Sequence, residues 1–177
     1  YMTNNIDAGQ LYWYEATPDK IFRTEGTSHV DISRPAPAYN ATPSTGWTGG
    51  TLNTVVLMNN PFDTPQCLRP IDSTFIDLPN WPANTSCQVM RVYKNYLIAL
   101  GVTKTSVEFP TMVKWSSPAD PGEVPFTWDE TDPTNDAGEN SLADTGGAIV
   151  DGRKLRDSFI IYKEDSVHSM TYTGGVF

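Results

Sequence analysis

The chain is poor in cysteine, histidine, basic residues and long apolar runs, and each shortage closes off a class of protein. Cys67 and Cys87 are the only cysteines in 177 residues, too few to staple a scaffold and not in C-x-x-C spacing. Both read as free thiols. With the two histidines, His29 and His168, they lack zinc-finger spacing, so no metal site is assigned to them. Twelve Lys and Arg stand against 21 Asp and Glu, for a net charge of −9. The basic surface that grips phosphate is therefore missing as a bulk property. An acidic wall can still face passing DNA, because repulsion prevents sticking. No stretch approaches the length of apolar residues that crosses a membrane, and YMTNNIDAGQ at the start lacks the charged and apolar regions of a signal peptide. Neither a membrane anchor nor export by a signal peptide is expected. The start at Tyr1, with methionine only at position 2, points to a processed or partial polypeptide. Amphipathic helices are also missing: apolar residues alternate or cluster in short runs, and prolines interrupt most longer windows.

What is present is a set of short strand signals. Hydrophobic residues make up 38% of the chain, enough for a core at this length, and 14 prolines and 13 glycines punctuate the apolar runs. Cys87 to Pro121 shows one unit complete. Cys87 to Tyr93 is rich in β-branched and aromatic residues, Lys94-Asn95 offers a two-residue turn, and Tyr96 to Leu100 is an apolar strand that Gly101 should stop. A polar connection then leads to Met112 to Trp115 and a turn-forming Ser-Ser-Pro-Ala-Asp-Pro-Gly.

Variants of this unit recur. Leu11 to Tyr14 and Ile21 to Arg23 flank a Thr-Pro-Asp-Lys turn, and Val30 to Ile32 adds a short strand. Arg34 to Gly50 is a proline- and glycine-rich loop with Trp47 as its apolar anchor. Leu52 to Met58 reads as one strand, with Gln66 to Leu68 pairing back against it. Beyond Val124 to Trp128, the acidic stretch Asp129 to Asp144 reads as a long surface loop. Ala148 to Val150, a tight turn at Asp151-Gly152, Leu155 to Tyr162 and Val167 to Tyr172 complete the series. Phe159 to Tyr162 are four consecutive apolar residues, so this strand is expected to be covered on both faces. Val56, Ile98 and Ile160 hold corresponding places in NTVVLMN, NYLIALG and DSFIIYK, roughly 40 and 60 residues apart, a spacing like that of propeller blades. The expected fold is all-β, a single region over 1–177 of antiparallel meanders in blade-like units at 11–77, 78–121 and 122–177, with the acidic loop at 129–144. A β-sandwich is the alternative.

No catalytic or cofactor-binding residue emerges. No G-x-S-x-G elbow occurs, and Ser158 and Ser169 read as strand residues. Asp129, Glu130, Asp132, Asp136, Glu139 and Asp144 could supply paired carboxylates for glycoside hydrolysis or, with Asn135, oxygen ligands for calcium, but the spacing of a calcium loop is absent and a solvated loop accounts for them. Trp13, Trp47, Trp81, Trp115 and Trp128 could form a sugar-stacking surface; plugs for strand ends and loop bases are the better account in a turn-rich β protein. The two glycosylation-type triplets at Asn40 and Asn84 read as chance matches.

From Leu78 to Phe177 the phrases LPNWPAN, YKNYLIALGVTK, FPTMVKWSSPADPGEVPFTWDETDPTNDAGENSLAD and GGAIVDGRKLRDSFIIYKEDSVHSMTYTGG resemble a segment of structural tail proteins of podovirus-like tailed bacteriophages, the tail nozzle or tail tubular proteins with a β-propeller core. Gly46 to Gly50 and Asn59-Asn60 extend the resemblance weakly towards the N-terminus. The resemblance implies a non-enzymatic virion component, assembled in the host cytoplasm, that packs with copies of itself in a ring around the tail axis beside other tail proteins such as the adaptor. It implies a wall that DNA passes without specific binding, and it supplies no active-site residue or cofactor. Such proteins are several hundred residues long, so the chain is expected to be part of a longer one. A receptor-binding or carbohydrate-active spike domain is the alternative.

Overall fold

A computed structural model describes residues 2–7 and 10–173. Its fifteen strands fall into four antiparallel sheets, each a meander of consecutive strands and none closed into a barrel. The first sheet holds β1 (Met2–Asp7), β2 (Gln10–Ala16), β3 (Ile21–Glu25) and β4 (Ser28–Asp31). The second holds β5 (Thr48–Leu52), β6 (Val55–Asn59), β7 (Gln66–Leu68) and β8 (Ile76–Asp77). The third holds β9 (Thr85–Tyr93), β10 (Tyr96–Lys104), β11 (Val107–Trp115) and β12 (Gly138–Ser141). The fourth has three strands, β13 (Ile149–Leu155), β14 (Ser158–Lys163) and β15 (Val167–Thr171). The all-β expectation holds, but the unit boundaries shift. The stretch 11–77 contains strands of two sheets separated by the proline-rich loop. The third sheet takes its outer strand β12 from within the acidic segment, beyond the expected limit at 121.

Three local readings are corrected. Leu52 to Met58 is a hairpin, not one strand: Asn53, at φ 54°, turns β5 into β6, a left-handed conformation that asparagine tolerates. Gly101 does not stop β10. It sits at φ 60° in a bulge between Leu100 and Val102, and the strand runs on to Lys104. Asp151-Gly152 lies inside β13, and the turn falls at Arg156, φ 55°, and Asp157.

The first strand of each sheet lies beside the first strand of the next, so β1, β5, β9 and β13 form a series. Side chains stitch it together. Thr51 Oγ1 donates to the Asn4 carbonyl at 2.7 Å, the Met90 amide to Thr48 Oγ1 at 3.0 Å, and Arg91 on β9 makes a two-pronged bond to Asp151 on β13 at 2.8 and 3.0 Å.

Between successive sheets lie three apolar cores. Tyr14, Ile21, Val56, Met58 and Phe75 fill the first; Val55, Leu57, Cys67, Leu97, Ala99 and Trp128 the second; Tyr93, Ile98, Leu100, Phe159 and Ile161 the third. Side chains alternate in direction along a strand, so β6 and β10, which lie between two cores, are buried on both sides and read as unbroken apolar runs. The bulge at Gly101 reverses the parity of β10: Leu97 and Ala99 face the second core, and so does Val102.

Strand β14 departs from expectation. Phe159 and Ile161 are buried, but Ile160 is half-buried and Tyr162 exposed. Among the described residues its sheet is the last of the series, and a neighbouring sheet packs on only one of its faces.

Candidate functional site

The acidic segment is the natural place to look for chemistry, and its carboxylates are separately engaged. Lys114 on β11 is buried, and its ammonium bonds Glu130 and, at 3.0 Å, Glu139 on β12; Lys104 on β10 bonds Glu139 at 2.5 and 2.7 Å. Two lysines thus clamp the loop onto the third sheet. Burial is the largest influence and raises the Glu130 pKa, but the bond from Lys114, a backbone amide bond and the charges of Lys114 and Lys104 together outweigh it and hold the carboxyl below its usual range. Asp129 and Asp132 each accept from the backbone amide and hydroxyl of the threonine two residues on, forming local turns. Asp136 accepts from the Tyr96 hydroxyl at 2.9 Å, and Asp144 lies 3.9 Å from His168. Among the described residues no group of three His, Cys, Asp or Glu side chains converges as a metal site would require, so the calcium reading gains no geometry. Glu130 and Glu139, brought together by Lys114, are ion-paired to lysine.

One constellation at the end of this loop invites comparison with a catalytic triad. Ser166 Oγ lies 3.2 Å from His168 Nε2, and Asp144 approaches the same nitrogen. A triad needs nucleophile and acid on opposite ring nitrogens, so this is not that arrangement. Ser158 instead bonds Thr171 across the β14–β15 ladder at 3.1 Å, as a strand residue does. Both thiols are free and buried; burial pushes Cys67 up to about 12 and Cys87 up as well, so neither is a poised nucleophile.

The tryptophans scatter over the molecule. Trp47 sits in the first core and donates to the Thr17 carbonyl at 2.8 Å. Trp81 and Trp128 meet edge to face at 4.7 Å in the second, where Trp81 bonds the Thr85 carbonyl. Trp115 ties down the acidic loop through the Asp136 carbonyl. These four plug loop bases; Trp13 alone is exposed, on the first sheet. An aromatic-walled cleft of about 240 Å³ lies between the third and fourth sheets, bounded by Tyr96, Trp115 and Tyr172 with Asp136 beside them.

The loop 34–47 is likewise folded onto its own molecule. Arg34, stacked 4.7 Å over the Tyr39 ring, bonds buried Asp63 at 2.8 Å and Asp77 at 3.0 Å. Burial works against ionisation of Asp63, but bonds from the Asn40 amide, the Asn60 and Asn40 side chains and Arg34 hold its pKa below the usual carboxylate range.

Apolar side chains are left uncovered in loops, at Ile71, Phe126 and Phe62, and on the outer faces of the first and fourth sheets. Register places Leu155, Ile160, Tyr162 and Val167 on one side of the fourth sheet with Arg153. It places Met2, Leu11, Trp13 and Phe22 on one side of the first with Glu15 and Asp31. Leu155 is 62% and Val167 64% exposed, Met2 57% and Leu11 50%. Isolated exposed apolar residues are ordinary; three exposed on one sheet face, with the half-buried Ile160 or Phe22 beside them, form an apolar patch. Periodicity did not reveal these faces, because an apolar run reads the same whether one side or both are covered. No protein-family model matches the chain, and no curated protein matches it either.

Proposed function

We propose that this chain is a non-enzymatic structural component of a bacteriophage tail, in which the four sheets act as successive propeller-like blades and copies of the chain surround the tail axis as part of the nozzle or tube wall. The observation that carries the reading is the serial stacking of four meanders through their first strands, which ends in uncovered apolar faces at both terminal sheets. The resemblance of residues 78–177 to tail nozzle segments supports it. So does a carboxylate-rich loop whose acids are held by lysines and local turns. The net charge of −9 suits a wall that DNA slides past without binding. In this reading the partners are further copies in a ring and other tail proteins such as the adaptor, and the location is the virion, after assembly in the host cytoplasm.

Peptide mapping of purified virions, with cryo-electron microscopy of the tail, tests the proposal. The expected result is density for these sheets in the tail wall at several copies per particle; a chain absent from virions ends it. The aromatic cleft beside Asp136 is the one feature that favours a receptor-binding or carbohydrate-active spike domain instead. A glycan array and a depolymerase assay address that rival, which needs sugar binding or release that Trp115→Ala abolishes.

A further inference from the structure

We propose that residues 129–137 form a strap that acid opens: closed over the third sheet while Glu130 is charged, it lifts when that carboxylate is neutralised, before the rest of the molecule unfolds. The device belongs to the chain whether or not the chain serves in a tail.

The strap is pinned at both ends. On one side Trp128 is buried in the second core, edge to face with Trp81. On the other, Gly138 opens β12 beneath the Trp115 ring, where a Cβ would come within 2.4 Å of Cζ2. Between these anchors the bonded backbone amides turn inward. Asp129 donates to the Thr127 hydroxyl, Thr131 and Thr134 to the carboxylates of Asp129 and Asp132, and Ala137 to the Asn135 side chain. Among the described residues the ties to the sheet run through side chains: Glu130 to Lys114 and, at 3.6 Å, to Lys104; the Asp136 carboxylate to the Tyr96 hydroxyl; and the Asp136 carbonyl to the Trp115 indole.

Lys114 makes Glu130 the decisive tie. The groups facing Glu130 are Lys104 on β10, Lys114 on β11 and Glu139 on β12, while Asp129 and Asp132 are turned to their own threonines. With Glu130 neutral, two ammonium groups share the single carboxylate of Glu139, and one of them, on Lys114, is shut away from water. A buried charge short of its partner has to be hydrated. Lys114 lies on β11, held between β10 and β12, whereas residues 129–134 are exposed, so it is the strap that moves. The folded pKa of Glu130 below its ordinary value gives the direction: closure is complete above that value and is lost as pH falls through the folded one. Lifting takes Asp136 away from Tyr96 and Trp115 and so removes part of the wall of the aromatic cleft.

Nitrogen–proton NMR of the tryptophan indoles tests this, because Trp115 bonds the strap while Trp47 and Trp81 bond the carbonyls of Thr17 and Thr85 elsewhere. Exchange protection of the Trp115 indole is compared with that of free indole at the same pH. From about pH 7 to about pH 3 it should drop at least tenfold while Trp47 and Trp81 keep theirs. Glu130→Gln should show the same loss at neutral pH. Lys114→Met should reverse the response, since Glu130 and Glu139 then repel while charged and let the strap close as they are protonated. Trp115 protection that stays constant, or that falls only together with Trp47 and Trp81, overturns the proposal. So does a Lys114→Met chain whose Trp115 responds in the wild-type direction. Where Lys114→Met does not fold, Glu130→Gln decides alone, and wild-type protection of its Trp115 at neutral pH overturns the strap.

Discussion

Gly152 shows how one residue type can serve two unrelated purposes. Next to an aspartate it looks like a turn, yet it lies within β13, where a Cβ would come within 2.6 Å of the Phe159 ring and 2.9 Å of Leu100 Cδ1. The glycine is there because the third and fourth sheets approach closely over it, not because the chain reverses. Phe159, packed against it and fully buried, should cost about 3–5 kcal/mol when replaced by alanine. Ile160, one residue on and facing outward, should cost only about 1 kcal/mol in the isolated chain. Gly152→Ala should destabilise by about 1–3 kcal/mol through overpacking. Urea titration of the three variants decides, and equal losses at Phe159 and Ile160 would mean that the outer face of β14 is covered after all. The tempting alternative, that four apolar residues in a row must all be buried, is what the alternation of β14 overturns.

At the scale of elements, the acidic segment behaves as part of a sheet. β12 pairs with β11, and the clamp of Lys104, Lys114, Glu130 and Glu139 holds the rest. Because Lys114 has 1% of its side chain exposed, removing its partners should be felt. Glu139→Gln, which loosens both lysines, should cost about 1–3 kcal/mol, and the double change with Glu130→Gln about 3–5 kcal/mol, the loss typical of a buried charge left uncompensated. The pH dependence has a definite sign. A carboxyl whose folded pKa lies below its ordinary value of 4.5 binds protons more weakly in the native state, so its contribution is complete above that value and fades as pH falls through the folded one. Thermal melts should therefore show Glu130→Gln less stable than wild type at neutral pH, with the gap closing below about pH 4.5; a constant gap would mean that the charge of Glu130 is not what stabilises.

Element type was legible in the sequence wherever side-chain pattern decides it. Cys87 to Tyr93 with Tyr96 to Leu100 gave a hairpin because both strands are apolar and Lys94-Asn95 interrupts them. The hairpins at Asn53 and Arg156 were not legible, since their left-handed residues are not glycine and the flanking runs look continuous. Asn53 within LNTVV was the available signal. The terminal faces were beyond reach, because nothing local records that a neighbouring sheet is missing.

Over the whole molecule, the series of first strands makes Arg91 the residue through which the fourth sheet is held. Its guanidinium spans three sheets, bonding Asp151 on β13 with two nitrogens from its place on β9 and reaching the Gly49 carbonyl on β5 at 3.4 Å. Burial raises the Asp151 pKa, but hydrogen bonds from Arg91 and the Gly152 amide and the charges of Arg91 and Arg153 together hold it below the usual carboxylate range, so this carboxylate is ionised throughout the neutral region. The third core packs the same two sheets, so the ion pair is not their only bond; it fixes β13 against β9 where Gly152 allows close approach. Arg91→Met leaves half-buried Asp151 with only the exposed Arg153 beside it, 3.4 Å away. The expected loss is about 2 kcal/mol, below that of a fully buried pair because Asp151 is 30% exposed and partly screened. That loss should not spread evenly. Native-state hydrogen exchange should speed up first in β13, β14 and β15, with β1 to β8 protected almost as before, because the first two cores do not include the fourth sheet. A uniform loss of protection over all four sheets would mean that the molecule opens only as a whole, and that Arg91 stabilises a single cooperative unit rather than the joint between two sheets.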